Sequence, residues 1–229
     1  MNVVPNFIAL DLDNTIYDYG TCHEAGLKAV LEHLSSNFQV NHKESRRYFE
    51  IARRNVKSRL SNTASSHSRL IYFKNMLELM QLPNLIQLSA LLEQTYWGHY
   101  LRSMQRAEGT LSLLEVAREN AIPVVIMTDL TTQIQIRKLA HLELFDYLTG
   151  LITSEEVGAD KPSSAFFQYA EQFFGLGEGH WWVIGDDDEK DKEMASLAKS
   201  ANYLKVKRDF EGKPSMTHIA EELKKLCLK

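Results

Sequence analysis

Cysteine is nearly absent from this chain of 229 residues: Cys22 and Cys227 stand far apart and share no metal-ligand spacing. A disulfide framework and a cysteine-based metal centre are thereby excluded, and a reducing compartment, the cytoplasm, is the expected location. No uninterrupted apolar stretch is long enough to span a bilayer, and the N-terminus has neither a basic segment nor a long apolar one. Neither secretion nor a membrane is expected. Low-complexity stretches and internal repeats are lacking, and so is any large charge excess, with a formal net charge of -4. That balance gives no support to binding a nucleic acid polymer, and nothing here specifies an oligomeric state.

What is present is an ordinary globular composition, 44% hydrophobic and 24% charged, in a chain long enough for a substantial core. Phe7-Ile8-Ala9-Leu10 reads as a buried strand. From Leu111 onward, strand and helix patterns alternate. Helices are predicted over Leu111–Asn120, Thr132–Leu142, Ser163–Phe174, Lys192–Ser200 and Thr217–Leu228. Strands are predicted over Ile122–Thr128, Gly150–Thr153, Trp181–Ile184 and Tyr203–Val206, with Trp181 and Trp182 packing on opposite faces. This alternation argues for an α/β, Rossmann-like parallel sheet with helices on both faces. Between the first strand and Leu111 the period is helical throughout: Leu27 to Phe38, Phe49 to Leu60, Leu70 to Leu77 and Leu85 to Tyr96. The chain therefore divides into a core of residues 1–16 and 104–229 and an inserted all-helical cap of residues 17–103, tethered by two linkers where a lid belongs.

Four short segments carry the chemistry: Asp11-Leu12-Asp13-Asn14-Thr15, Thr128, Lys161-Pro162, and Gly185-Asp186 with Asp191. Each follows a strand pattern or lies in the loops beyond one, where open α/β sheets hold their ligands. Carboxylates gathered around an anionic phosphate need a compensating cation, and Mg²⁺ with Lys161 would supply it. Asn14 suits a tight turn after the strand because it tolerates positive φ.

The chain resembles the haloacid dehalogenase superfamily of phosphohydrolases, in the branch with a helical cap inserted after the first motif. The run from Thr128 to Gln135 and from Ser154 to Pro162 looks like capped members such as pyrimidine 5′-nucleotidases and sugar phosphatases. The resemblance implies Asp11 as nucleophile, forming an aspartyl-phosphate, and Asp13 as general acid and then base. It implies Thr128 and Lys161 as phosphate-binding residues. Mg²⁺ would be held by Asp11, the Asp13 backbone carbonyl and Asp186, with Asp191, and Asp187 ahead of Asp188, orienting metal-bound water or Lys161 from one layer out. Dehalogenases, phosphonatases and ion-pumping ATPases of the superfamily lack an Asp at the place of Asp13, so carbon–halogen cleavage is disfavoured. One departure stands out: many relatives have Asn-Gly after the threonine, and this chain has Asp129-Leu130, adding a carboxylate and removing the backbone freedom of glycine.

The implied activity is an Mg²⁺-dependent phosphatase acting on a small phosphorylated metabolite, a nucleoside monophosphate or a sugar phosphate. A phosphomutase using the same intermediate, and a non-catalytic binding protein retaining the fold, are the alternatives. Tyr17, Tyr19, His23, His67 and Arg69 are candidates for substrate specificity. The competing structural reading makes Ser66 a helix cap, leaves His67 and Arg69 solvated, and assigns the aromatic residues to hinge packing. The basic series Arg46, Arg47, Arg53, Arg54, Lys57 and Arg59 reads as a solvated helix face.

Overall fold

A computed structural model describes residues 3–175, 179–198, 200–207 and 215–228. They form two compact units: residues 1–18 with 105–229, and residues 19–104.

The first unit is built on five parallel strands: β1 (Phe7–Leu10), β2 (Val124–Thr128), β3 (Gly150–Thr153), β4 (Trp181–Gly185) and β5 (Ala201–Lys205), in the order β3-β2-β1-β4-β5. β1, β2 and β4 are buried at every position, which explains why they read as apolar runs rather than alternating ones. The helices of this unit are α5 (Thr110–Glu119), α6 (Thr132–His141), α7 (Ser154–Val157), α8 (Ala165–Phe174), α9 (Glu193–Leu197) and α10 (Met216–Cys227), numbered after the four of the other unit. Phe7, Ala9, Val125, Met127, Trp181 and Val183 point to one face, where Phe166 and Ala170 of α8 and Met194 and Ala195 of α9 cover them. The intervening residues Ile8, Leu10, Ile126, Trp182 and Ile184 are fully buried on the other. Trp181 meets Phe7 edge to face, with ring centroids 4.4 Å apart, and Trp182 lies on the opposite side, as its alternation predicts. The chain leaves the central β1 toward β2 on one side and later toward β4 on the other, so the carboxyl end of β1 is a switch point in the topology.

Most elements differ from their predicted extents by a residue or two, and two of the departures have a visible cause. The helix predicted over Lys192–Ser200 begins as a π-helical turn, Asp188–Lys192, because the Asp187 side chain accepts from the backbone N–H groups of Glu189 and Lys190; α9 then ends at Leu197, and Lys199 lies outside the described residues. The last strand starts earlier, at Ala201, and ends at Lys205, since pairing with β4 rather than local apolar content sets its register.

The second unit contains four helices: α1 (Tyr19–Phe38), α2 (His42–Arg59), α3 (Arg69–Met80) and α4 (Leu85–Arg102). α1 packs on α4 and α2, and α3 packs on α2 and α4, around Leu27, Leu34, Phe49, Val56, Phe73, Leu77, Leu92 and Tyr96. Asn41 caps α2 through Lys43 N. None of the described helices is long and apolar enough to cross a membrane.

Gly26 sets the approach of α1 to α4. A Cβ there would stand 2.8 Å from the Tyr96 carbonyl oxygen and 2.9 Å from its ring. Gly26→Ala gains about 0.5–1 kcal/mol in helix propensity and loses about 1–3 kcal/mol to overpacking against backbone. A net loss of stability in a denaturant titration is therefore expected; a gain would show that the two helices are not held at this spacing.

Candidate active site

Asp11 follows β1 directly and continues its pairing, its N–H donating to Ile184 O at 2.9 Å. The chain then turns: Asn14 adopts φ 70°, as its tolerance of that region predicts, and the N–H groups of Thr15 and Ile16 both return to Leu12 O. The turn brings Thr15 Oγ1 within 2.8 Å of Asp11 Oδ2, to which it donates. On the other carboxylate oxygen, Lys161 Nζ donates to Asp11 Oδ1 at 2.6 Å and also to Asp191 Oδ1 at 2.7 Å. All three side chains are almost wholly buried. The second Asp191 oxygen accepts the Asp187 N–H at 3.1 Å. Asp186 follows β4, and carboxylate oxygens of Asp11, Asp186 and Asp191 lie within 4.8 Å of one another. Gly185 makes this possible, because a Cβ there would sit 2.1 Å from Asp191 Oδ2.

Asp13 is clamped differently. Lys138 Nζ donates to its Oδ1 at 2.6 Å, the Tyr17 hydroxyl donates to the same oxygen, and Gln135 Nε2 approaches its Oδ2 at 3.3 Å. Gln135 Nε2 also reaches Thr128 Oγ1 and the Asp129 carbonyl, each at 2.7 Å, so one amide joins the first and second motifs. Lys138 is fully buried, with its ammonium 5.7 Å from the centre of the Tyr17 ring. Burial pushes the Asp13 carboxyl up, and the Lys138 ammonium with these hydrogen bonds more than offsets that, leaving it below the ordinary carboxylate value. Asp11 goes the other way: burial, with Asp191 and Asp13 nearby, pushes it up to about 8 against the pull of Lys161. Burial lowers Lys161, but the surrounding Asp11, Asp191 and Asp129 hold its pKa well above the ordinary lysine value.

A family model for haloacid dehalogenase-like hydrolases matches residues 8–203, a span that contains every group in this arrangement. The chain belongs to that family. The hydrolase is 35% identical over 185 residues to a ribulose-1,5-bisphosphate 5-phosphatase of Halopiger xanaduensis, covering 80% of this chain and 77% of that one. It is 26% identical over 225 residues to a glyceraldehyde 3-phosphate phosphatase of Methanocaldococcus jannaschii, covering 96% and 94%. Its fold matches the crystal structure of a phosphatase of the family from Thermococcus onnurineus, with TM-score 0.70, 22% identity and 96% of each chain covered. The hydrolase is a phosphoric monoester hydrolase.

The predicted core residues Asp11, Thr128, Lys161, Asp186 and Asp191 converge at the carboxyl ends of β1, β2 and β4, with Asp13 beside them. Asp187 spends its side chain on capping the π-helical turn, and Asp188 is exposed and paired with Lys205, so neither carboxylate joins the triad. At the departure from Asn-Gly, Leu130 keeps the left-handed conformation a glycine would favour, at φ 92°. Ser154 Oγ binds both its N–H and its carbonyl, offsetting a strain of about 1–2 kcal/mol. The added carboxylate of Asp129 is balanced by Lys190 Nζ at 2.5 Å and accepts Lys161 N–H at 2.8 Å.

Gln135 and Lys138 join the site without having been expected there from the sequence. Their signal was a polar pair at i and i+3 on the face of α6 that also carries Ile134 and Leu139, which marks buried groups needing partners.

Among the specificity candidates, Tyr17 belongs to the core unit, where it bridges Asp13 and Arg106 through its backbone; this pairing moves the unit boundary to Asp18. In the helical unit Ser68, not Ser66, caps α3 by accepting Ile71 N–H, and Ser66 is buried. Arg69 is buried rather than solvated, bonded to Tyr19 Oη at 2.7 Å and to the His67 carbonyl at 2.6 Å. His23 stacks on Tyr19 and shares a 2.7 Å hydrogen bond with Tyr96 Oη. Arg46 forms a two-pronged pair with Glu24, and the rest of the basic series is exposed or half-buried, as a solvated face requires.

The residues present fit a divalent cation. Three carboxylates lie within reach of one point, and their oxygens are the hard donors Mg²⁺ takes. Lys161 alone leaves Asp11 raised, as a site short of positive charge would.

Two outcomes follow. Gly185→Ala should displace Asp191 and cost activity together with about 1–3 kcal/mol of stability; near-native activity would mean that the contact between Gly185 and Asp191 is dispensable. His23 is pushed down to about 4 by burial and by the Arg69 guanidinium, so it is neutral in the fold. Its contribution is present above the ordinary value of 6.5 and is lost as pH falls through about 4, because the unfolded chain takes up the proton first. Denaturant titrations should show the wild type losing about 1–3 kcal/mol more than His23→Gln across that window. Parallel curves would place His23 in a more open setting.

Proposed function

We propose that the hydrolase is a cytoplasmic, Mg²⁺-dependent phosphatase of small sugar phosphates that works through an aspartyl-phosphate on Asp11. The observation that carries this reading is the Lys161 ammonium held between Asp11 and Asp191, with Asp13 clamped two residues beyond the nucleophile. Sugar phosphates are favoured over nucleoside monophosphates because the relatives that match most of the chain are named for a sugar bisphosphate and a triose phosphate.

Asp11, Asp186 and the Asp13 carbonyl would hold Mg²⁺, which when bound neutralises phosphate charge and keeps Asp11 ionised. Asp191 positions Lys161. Thr15 and Lys161 fix both oxygens of Asp11, so its carboxylate is oriented for in-line attack on phosphorus. Thr128, itself held by Gln135, presents its hydroxyl to a phosphate oxygen. Attack forms the Asp11 Oδ–P bond and breaks the bond from phosphorus to the leaving oxygen, which takes a proton from Asp13. Asp13, now anionic and stabilised by Lys138, removes a proton from the water that cleaves the aspartyl-phosphate. The anionic phosphate beside Asp13 raises its proton affinity in the first step, and Lys138 favours the carboxylate needed in the second.

Phosphate release from a panel of phosphomonoesters, with Mg²⁺ and with chelator, tests the reading. Asp11→Asn should abolish release while the protein stays folded. Asp13→Asn should slow sugar-phosphate hydrolysis by about 10²- to 10⁴-fold and affect an activated aryl phosphate far less. Equal losses on both substrates would remove Asp13 from the leaving-group step, and full activity in chelator would remove the metal.

A further inference from the structure

We propose that Gln135 is a positioning residue of the phosphate site: its amide fixes the direction of the Thr128 hydroxyl and keeps the O–H hydrogen of Thr128 for the bound phosphate. This role deepens the one given to Thr128 under Proposed function and rests on it. Gln135 lies on α6 and is fully buried. Its Nε2 has three acceptor neighbours, Thr128 Oγ1 and the Asp129 carbonyl at 2.7 Å each and Asp13 Oδ2 at 3.3 Å. An amide nitrogen carries two hydrogens and offers no lone pair, so the two short contacts take both hydrogens, and Thr128 Oγ1 has to accept from it. At the other end of the same amide, Gln135 Oε1 is buried without a hydrogen-bond partner among the described residues. A buried acceptor left in that state costs stability. Turning the amide over would not relieve it, because Oε1 would then face the Asp129 carbonyl and the Asp13 carboxylate, both acceptors. The side chain therefore keeps an orientation that is unfavourable at its oxygen and is set by what its nitrogen holds.

A threonine hydroxyl has one hydrogen and can rotate. In the structure Thr128, at the end of β2, donates that hydrogen to the Asp129 carbonyl over a long 3.2 Å. The same carbonyl already accepts from Gln135 at the shorter 2.7 Å. Gln135 thus occupies one lone pair of Thr128 Oγ1 and supplies the carbonyl that would otherwise hold its hydrogen. The hydrogen gives up only a weak bond when it turns to a phosphate oxygen, as a donor aimed before the charge arrives should. Asp13 depends on Gln135 much less, since its Oδ1 is held by Lys138 at 2.6 Å and by the Tyr17 hydroxyl. Loss of the amide therefore falls mainly on Thr128. With methionine at position 135, the Asp129 carbonyl loses its shorter bond and the Thr128 hydrogen becomes its donor, directed away from phosphate.

The test is a double-mutant cycle on phosphate binding. Inorganic phosphate is titrated calorimetrically, with Mg²⁺ present, into wild type, Gln135→Met, Thr128→Val and the double variant. Thr128→Val removes the donor and should raise the Kd by about 10- to 100-fold. Gln135→Met keeps the donor but misdirects it, and should raise the Kd by about 3- to 30-fold. The double variant should bind no more weakly than Thr128→Val alone, because the direction of a hydroxyl has no effect once the hydroxyl is gone. Losses that multiply in the double variant overturn the proposal, as does unchanged affinity in Gln135→Met beside a weakened Thr128→Val; both leave the Thr128 assignment standing. Full affinity in Thr128→Val removes that assignment and the proposal with it. Gln135→Asn, whose amide is one methylene short of Thr128, replaces a Met variant that does not fold and should show the same coupling. Failure of both to fold makes Gln135 a packing residue and overturns the proposal. Absence of phosphate release from every ester in wild type counts against the phosphatase reading, and the binding cycle still decides the role of Gln135.

Discussion

The structure of the core unit depends on one constraint: acidic side chains must converge at the ends of β1 and β4 without repelling one another apart. Lys161 meets it by donating to Asp11 and Asp191 at once from a buried position. Two charged hydrogen bonds to one ammonium offset a desolvation cost that neither carboxylate could bear alone. The backbone is arranged around that group. Gly185 leaves room for Asp191, the π-helical turn aims Asp191 inward, and Asp129 takes the Lys161 N–H so that the loop after α7 stays in place.

A second ion pair, Lys138 with Asp13, lies beside the first but serves a different end. Lys161 joins Asp11 to Asp191, whereas Lys138, Tyr17 and Gln135 fix the orientation of Asp13 alone, the carboxylate proposed to exchange protons. Separate cations allow Asp11 and Asp13, two residues apart, to sit in environments that push their proton affinities in opposite directions.

Much of this was legible in the sequence, for a physical reason. Strands buried on both faces show as apolar runs, and a polar or charged residue at the end of such a run has few structural uses, so Asp11, Thr128 and Asp186 stood out. Lys161 was read from its family motif and the need for a cation. Gln135 and Lys138 were not read, because a polar residue in an amphipathic helix looks solvated until tertiary packing buries it. The alternative reading of Arg69 as a solvated residue failed for the same reason. Ser66 was mistaken for the cap of α3 because Ser66 and Ser68 carry the same local signal, and only the fold shows which side chain reaches Ile71 N–H. The left-handed Leu130 was invisible for the opposite reason: sequence rules favour glycine there, and the support comes from Ser154, distant along the chain.

The helical unit shows how aromatic packing and charge are coupled. Phe49, Tyr72, Phe73, Tyr96 and Trp97 supply the aromatic core of the four helices, and three of these rings, Tyr72, Tyr96 and Trp97, lie with Tyr19 around Arg69. That guanidinium in turn helps to keep His23 neutral. The central claim, attack by Asp11, is tested most directly by acid-quenching the Mg²⁺-loaded hydrolase during turnover of a sugar phosphate and mapping phosphorylated peptides by mass spectrometry. A phosphoryl group is expected on Asp11, released by hydroxylamine and absent from Asp11→Asn. Phosphate release with no covalent adduct, or with the adduct on another residue, would contradict it.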